Sequence, residues 1–144
     1  MSELSLHDLS KKMAKLDFTM MATRSPNGSL TARPMSNNGD VEYQGDSYFF
    51  AYKNSRKITD LRADPHVTLS YTGAAGMLGG PPMFITVEGA AALIEDKAAF
   101  VDHWTKDLDR YFPDGIYTSG VVMIHVDAKA LRYWDGSDEG EITI

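Results

Sequence analysis

The sequence contains no cysteine. That absence excludes disulfides, thiolate nucleophiles and every zinc site that depends on sulfur. Histidine is also scarce. His7, His66, His103 and His125 stand at no metal-ligand spacing such as H-x-x-x-H, and no carboxylate sits in register to complete a triad. No metal site is expected. No apolar run approaches the roughly 18 residues that a membrane span needs, and the N-terminal "MSELSLHDLSKKMAKL" alternates charge with Leu where a signal peptide would carry an apolar core. A cytoplasmic protein with no membrane partner is the expectation. Positive charge is in the minority, with 14 basic residues against 20 acidic ones and a net charge of −6, which opposes nucleic acid as a partner. There is no internal repeat, low-complexity tract or long linker, so residues 1–144 are expected to form a single domain. A chain of this size buries roughly 70% of its unfolded surface, enough for a core without staples.

What the chain does contain is alternation. Leu6, Leu9, Met13 and Leu16 fall at steps of three and four, the pattern of an amphipathic helix with its lysines outward. Asp17–Thr23, the turn "SPNG" and Leu30–Met35 predict a hairpin, and Asp46–Tyr52, after "NNGD", predicts a third strand rich in Tyr and Phe. Asn54 or Ser55 caps a short helix carrying Ile58 and Leu61 inward, which Pro65 ends. Val67, Leu69 and Tyr71 mark the next strand, and the loop "GAAGMLGGPP" separates it from Met83–Leu93, where Gly89 suggests a bulge or a close contact. Asp96 caps a further helix on which Phe100, Trp104 and Leu108 stack at steps of four. Val121–Val126 and Ala130–Trp134 read as final strands, and "DGSDEGEITI" as a solvated C-terminus. Six or seven antiparallel strands with two or three short helices predict an α+β, mainly β fold whose sheet curls into a barrel.

One local feature runs against the acidic background. In "YFFAYKNSRKITDLRADP", Ser55, Arg56 and Lys57 stand where a strand enters a helix, so the helix's unpaired N–H groups and positive dipole end converge with a hydroxyl and two cations. Arg33 on an earlier strand can add a planar bidentate donor. Two readings stay open: an anion site, or surface cations pairing with Asp60, Asp64 or Glu42.

Taken in order, the motifs resemble the pyridoxamine 5′-phosphate oxidase-like flavoproteins with an FMN-binding split barrel, and within them the general stress protein 26 group. "ARPM" at Ala32–Met35, "FAYKNSRK" at Phe50–Lys57, "RADP" at Arg62–Pro65, "RYFPDG" at Arg110–Gly115 and "YWDG" at Tyr133–Gly136 are similar to that family's segments and span nearly the whole chain. The resemblance implies FMN as cofactor, with FAD or a deazaflavin as alternatives. It implies that Ser55, Arg56 and Lys57 hold the phosphate, that Phe50 and Ala51 line the ribityl chain and ring, and that Arg33, Pro34 and Met35 face the isoalloxazine. Trp134 matches an aromatic that reaches the flavin from the other subunit, so a homodimer is implied, and Trp104 stands either in that wall or in its own helix's core. The implied activity is a flavin-dependent oxidoreductase of the stress response acting on an unknown small-molecule substrate, with non-catalytic flavin binding or storage as the alternative. A true pyridoxamine 5′-phosphate oxidase is disfavoured. That enzyme's cationic segment after the Trp is replaced here by "DGSDEGEITI", which repels a dianion. No residue declares itself as an acid or base, Tyr52, Tyr71 and His66 being the candidates weighed.

Overall fold

The computed structural model describes residues 4–38, 41–73, 82–136 and 138–144. Most of the glycine-rich loop (residues 74–81) and two residues of the "NNGD" turn (39 and 40) lie outside the described residues. Helix α1 (Leu6–Met13) is followed by strands β1 (Phe18–Arg24), β2 (Leu30–Ser36) and β3 (Asp46–Tyr52) and by helix α2 (Arg56–Ala63). Then come β4 (His66–Thr72), β5 (Met83–Ile94), the single turn α3 (Lys97–Phe100), two 3-10 turns (Lys106–Arg110 and Gly115–Tyr117), β6 (Val121–Asp135) and β7 (Asp138–Thr143). Every strand pairing is antiparallel. The sheet order is β2-β1-β4-β5-β6-β3, with β7 beside β6. The α+β split-barrel expectation therefore holds, and the split falls between β2 and β3, the two ends of that order.

Local chemistry accounts for the elements. Ser5 and Asp8 form a reciprocal capping box, each side chain accepting from the other's backbone N–H, which starts α1 at Leu6. Leu9 and Met13 then fall on the buried side. The β1–β2 turn closes through Ser25 N–H to Ser29 O and Gly28 N–H to Ser25 O, both at 2.8 Å, with Gly28 at φ +90°, where a side chain is strained. Along β4 the inward residues are Val67, Leu69 and Tyr71, as alternation requires.

The core has two parts. The larger fills the barrel and includes Met21, Phe49, Leu69, Ile85, Val87, Ile124 and Leu131. The smaller lies on the other side of β3 and β6, where Phe50, Val121 and Met123 pack against Phe100, Leu108 and Phe112. Both faces of this stretch are covered, so Val121–Ile124 is an unbroken buried run.

Three expectations are corrected. No continuous helix links Phe100, Trp104 and Leu108: α3 ends at Phe100, Thr105 is extended, and a 3-10 turn carries Leu108. Those side chains converge because Phe50 gathers them, its ring edge-on to Phe100 at 5.3 Å and to Trp104 at 4.7 Å. The two final strands are one, β6, running through residues 127–129. The acidic tail is β7, an edge strand whose Glu139 and Glu141 point outward; such charges discourage edge-to-edge association.

Gly89 marks the bulge. Between Glu88 and Gly89 the β5–β6 register slips by one residue, passing over Lys129. A Cβ on Gly89 lies 2.5 Å from Asp127 O, a backbone atom that cannot rotate away. Gly89→Ala is therefore expected to destabilise the protein by about 1–3 kcal/mol, the scale of overpacking. Urea unfolding followed by far-ultraviolet circular dichroism measures it; an unchanged midpoint removes the close approach as a constraint.

Candidate functional site

Because the sheet does not close, β2 and β3 each leave one edge of backbone N–H and C=O groups unpaired by a neighbouring strand. Pro34, which lacks an N–H, is tolerated for that reason. A cleft of about 410 Å³ opens between these edges, within the size range of small-molecule sites. Pro34, Met35 and Ser36 of β2 form one side, and Tyr48–Tyr52 of β3 the other. Phe18 stands at the cleft, and Thr105, Leu108, Tyr111 and Phe112 close over β3, secured by Tyr52 Oη donating to Tyr111 O at 3.2 Å. A slot with apolar walls flanked by strand edges suits a flat heterocycle whose rim carries donors and acceptors.

One end of the cleft is basic. Ser55 is the N-cap of α2, yet its hydroxyl donates back to Tyr52 O at 2.7 Å and does not cap the helix. The Arg56 and Lys57 amides consequently have no acceptor among the described residues, and they carry the positive end of the helix dipole. Ser55 and Lys57 line the cleft. Lys57 forms no ion pair among the described residues; burial and the nearby Arg33 charge lower its ammonium's pKa from the ordinary value of 10.5. Arg56 donates to Ser25 Oγ at 3.2 Å.

Arg33 is turned into the barrel wall. Its Nη1 donates to Met21 O (3.1 Å) and Thr23 Oγ1 (2.8 Å), its Nη2 donates to Thr31 Oγ1 (2.7 Å), and the Nη2 lies 3.6 Å from Asp60 Oδ2. Asp60, 1% exposed, accepts from Thr23 (2.8 Å) and Thr31 (3.2 Å). Burial pushes its carboxyl up, but hydrogen bonds from Thr23, Ser25 and Thr31 and the Arg33 charge outweigh it, leaving the pKa below the usual carboxylate value. Burial and Arg56 lower Arg33's own pKa while Asp60 opposes them. Of the three cations only Arg33 meets a carboxylate, the buried Asp60, while Lys57 and Arg56 form no ion pair among the described residues, and that local excess of positive charge favours an anion. The pairing alternative holds for Arg33, which meets Asp60, and not for Arg56 or Lys57 among the described residues: Asp64 meets Arg24 and Glu42 meets His7.

The structure brings Pro34, Met35, Phe50, Ala51, Ser55 and Lys57 to the cleft. Arg33 and Arg56 contribute charge beside it without lining it, and Trp134 lies elsewhere, on the outer face of β6 opposite Phe84. Trp104 belongs to the smaller core, with its Nε1 donating to Asp109 at 2.9 Å. Of the acid–base candidates only Tyr52 lines the cleft; Tyr71 is in the core, and exposed His66 pairs with Asp64 at 2.7 Å. Sequence reasoning missed Phe18, Tyr48 and His103 as lining residues; Asp60, one of three acids it offered as pairing partners, is the one that anchors Arg33, and its burial was not foreseen. Buried Thr23 on β1 was the available signal for Asp60, since an inward hydroxyl requires a polar partner; that of Thr19 is the backbone Ser70 O.

Residues 5–144 match the sequence profile of the family described as "Pyridoxamine 5'-phosphate oxidase like". The chain belongs to that family. It is also similar to protein bli-3 of Neurospora crassa, at 28% identity over 119 residues, covering 80% of this chain and 54% of bli-3, so it spans about half the length of that curated relative. Among solved structures it resembles a Clostridium acetobutylicum protein related to general stress protein 26 of B. subtilis (TM-score 0.79, 16% identity, 96% of this chain and 94% of that one). It likewise resembles a heme binding protein from Mycobacterium smegmatis (TM-score 0.75, 16% identity, 99% of this chain and 60% of that one). At these identities the structural likeness speaks for the fold.

Proposed function

We propose that the chain is an FMN-binding oxidoreductase acting on a small-molecule substrate. The observation that carries this is the coincidence, in one cleft, of an aromatic slot between two open strand edges with uncapped helix N–H groups and Lys57 at its end. A flavin mononucleotide has the matching halves, a planar hydrogen-bonding ring and a terminal dianion. In this reading the Arg56 and Lys57 amides, Ser55 and the two side-chain cations hold the phosphate, Phe50 and Ala51 flank the chain and ring, and Pro34 and Met35 border the isoalloxazine. When bound, FMN supplies the hydride or electron chemistry, while the protein binds it, orients it and excludes water. The test is the visible spectrum of freshly purified protein, the mass of the released cofactor, and reduction of the bound chromophore by NAD(P)H followed by reoxidation during turnover. FAD or a deazaflavin in the extract replaces FMN; a flavin that never turns over leaves a storage protein.

We further propose a homodimer formed through the outer sheet face. Met20 lies opposite Ser70, Ser70 opposite Thr86, and Phe84 opposite Trp134, so their side chains share that face with Phe18. Exposures of 56% for Phe18, 43% for Met20, 42% for Phe84 and 38% for Trp134 make an apolar patch of the kind that marks an interface. Phe18 also lines the cleft, so a second copy seated here borders the site. Phe84→Glu with Trp134→Glu is expected to give a monomer by sedimentation velocity with the wild-type circular dichroism spectrum. A dimer persisting in that variant places the interface elsewhere.

A further inference from the structure

A second cavity, of about 220 Å³, lies against the cleft. Asn37, Asn38, Tyr48, Phe49 and His103 line both, so the two spaces adjoin. The aromatic residues at the junction are held in place: the Tyr48 ring stacks on His103 at 3.5 Å and 11° on one side and on His125 at 4.7 Å and 8° on the other, and His125 Nε2 is 2.8 Å from Asp46.

The two spaces differ in chemistry. Lys57 gives the cleft a cation, whereas the described lining of the second cavity has neither Lys nor Arg and includes the carboxylates of Glu42 and Asp46. Both carboxylates have histidine partners, His7 at 2.5 Å and His125 at 2.8 Å, which hold them in place and leave each with further acceptor capacity. Asn37 spends its Nδ2 on Met13 O and Leu16 O, both at 2.8 Å, so the atom it can offer a ligand is its carbonyl oxygen, an acceptor. In volume the cavity equals about seven waters at roughly 30 Å³ each, below the roughly 300 Å³ at which drug-sized sites begin.

We propose that this second cavity is the substrate chamber, and that it takes a small, neutral or cationic molecule bearing hydrogen-bond donors, an alcohol or amine, and rejects phosphates and carboxylates. The assignment rests on the flavin reading of the cleft, because the two spaces share Tyr48 and His103 and so adjoin, which puts the chamber's occupant beside the ring. An anion entering the chamber meets two carboxylates and no Lys or Arg among the described lining, while an amine or hydroxyl meets acceptors. The division of charge therefore sorts the two ligands: the phosphate to the α2 end of the cleft, the donor-bearing substrate to the chamber.

Benzylamine, benzyl alcohol and benzoate, which share one ring and differ in charge and donors, test the sorting by protein-observed NMR at about pH 8, with and without FMN. Benzylamine and benzyl alcohol are expected to bind saturably and shift the Asn37 and Tyr48 amide signals, with benzoate weaker by about tenfold or more. With FMN present, nuclear Overhauser contacts between probe and flavin are expected. Ala14→Trp and Gln44→Trp place bulk at positions that line the chamber and not the cleft; both positions are exposed, so the fold tolerates them. Each is expected to weaken benzylamine about tenfold or more while leaving FMN affinity unchanged. Benzoate binding within about twofold of benzylamine, absence of any saturable shift, or probe binding indifferent to both tryptophans overturns the proposal. If the probes sort as expected and FMN does not bind, the chamber's selectivity stands and the flavin reading fails.

Discussion

Replacing Arg56 and Lys57 together by alanine is expected to weaken FMN binding by about 3 kcal/mol, roughly 100-fold in Kd, and to leave the fold intact. The figure follows from hydrogen bonds to charged groups at about 1.5–3 kcal/mol each, discounted because Arg56 is exposed and screened by salt. The singles are expected to be unequal. Lys57 lines the cleft and is partly buried, so its loss carries the larger share, whereas Arg56 acts from the rim. Rising ionic strength should weaken wild-type binding and weaken the double variant's much less, since the variant has lost most of the charge that salt can screen. Isothermal titration at two salt concentrations measures both effects. An unchanged Kd in the double variant removes the phosphate from the α2 end of the cleft.

Asp60→Ala is expected to destabilise the protein by about 3–5 kcal/mol, the cost of leaving a buried charge without its partner. At this chain length that lowers Tm by on the order of 10 °C. The physical cause is Arg33: without the carboxylate, a guanidinium in the barrel wall keeps only hydroxyls and one carbonyl, and Thr23 and Thr31 lose an acceptor. Arg33→Met combined with Asp60→Leu should recover much of the loss, because a pair of apolar residues removes both charges at once. The same carboxyl sets a pH dependence. Its folded pKa lies below the ordinary value of 3.8, so the stability it contributes is complete above that value and fades as pH falls through the lower, folded one. Asp60→Asn is therefore expected to lose stability near neutrality and to show a shallower acid decline than the wild type. Thermal unfolding across that acid range is the measurement; parallel curves for the two proteins contradict the role given to Asp60.

The parts of this structure legible in the sequence are those where one residue's neighbours in the chain decide its fate. Val67, Leu69 and Tyr71 alternate because β4 has one buried face, and Gly89 stood out because an apolar strand rarely carries a glycine without a backbone reason. The junction at Ser55 was legible too, since a strand followed by a cap and two cations is a local pattern. What escaped notice is set by contacts across the fold. Phe100, Trp104 and Leu108 recur every four residues, yet Phe50 on β3 gathers them and Thr105 breaks the helix. β7 carries outward glutamates and, inward, Gly140, where any Cβ would collide with the Tyr133 ring, so no apolar alternation announced a strand. Asp60 could be offered as a partner for Arg33 only beside Asp64 and Glu42, because the choice among them, 27 residues along the chain for Asp60 on α2, is made by the packing of the fold. His103 joined the site for the same reason: its place is fixed by stacking on Tyr48.

The account turns on a nucleotide dianion seated at the start of α2 with its ring in the slot between β2 and β3. Equilibrium titration of the purified, cofactor-stripped protein with FMN, read by quenching of flavin fluorescence, tests it directly. Saturable binding at one FMN per chain, abolished to the stated degree by the Arg56 and Lys57 substitutions, is the predicted result. A folded protein that leaves the fluorescence of FMN unquenched at every concentration contradicts it.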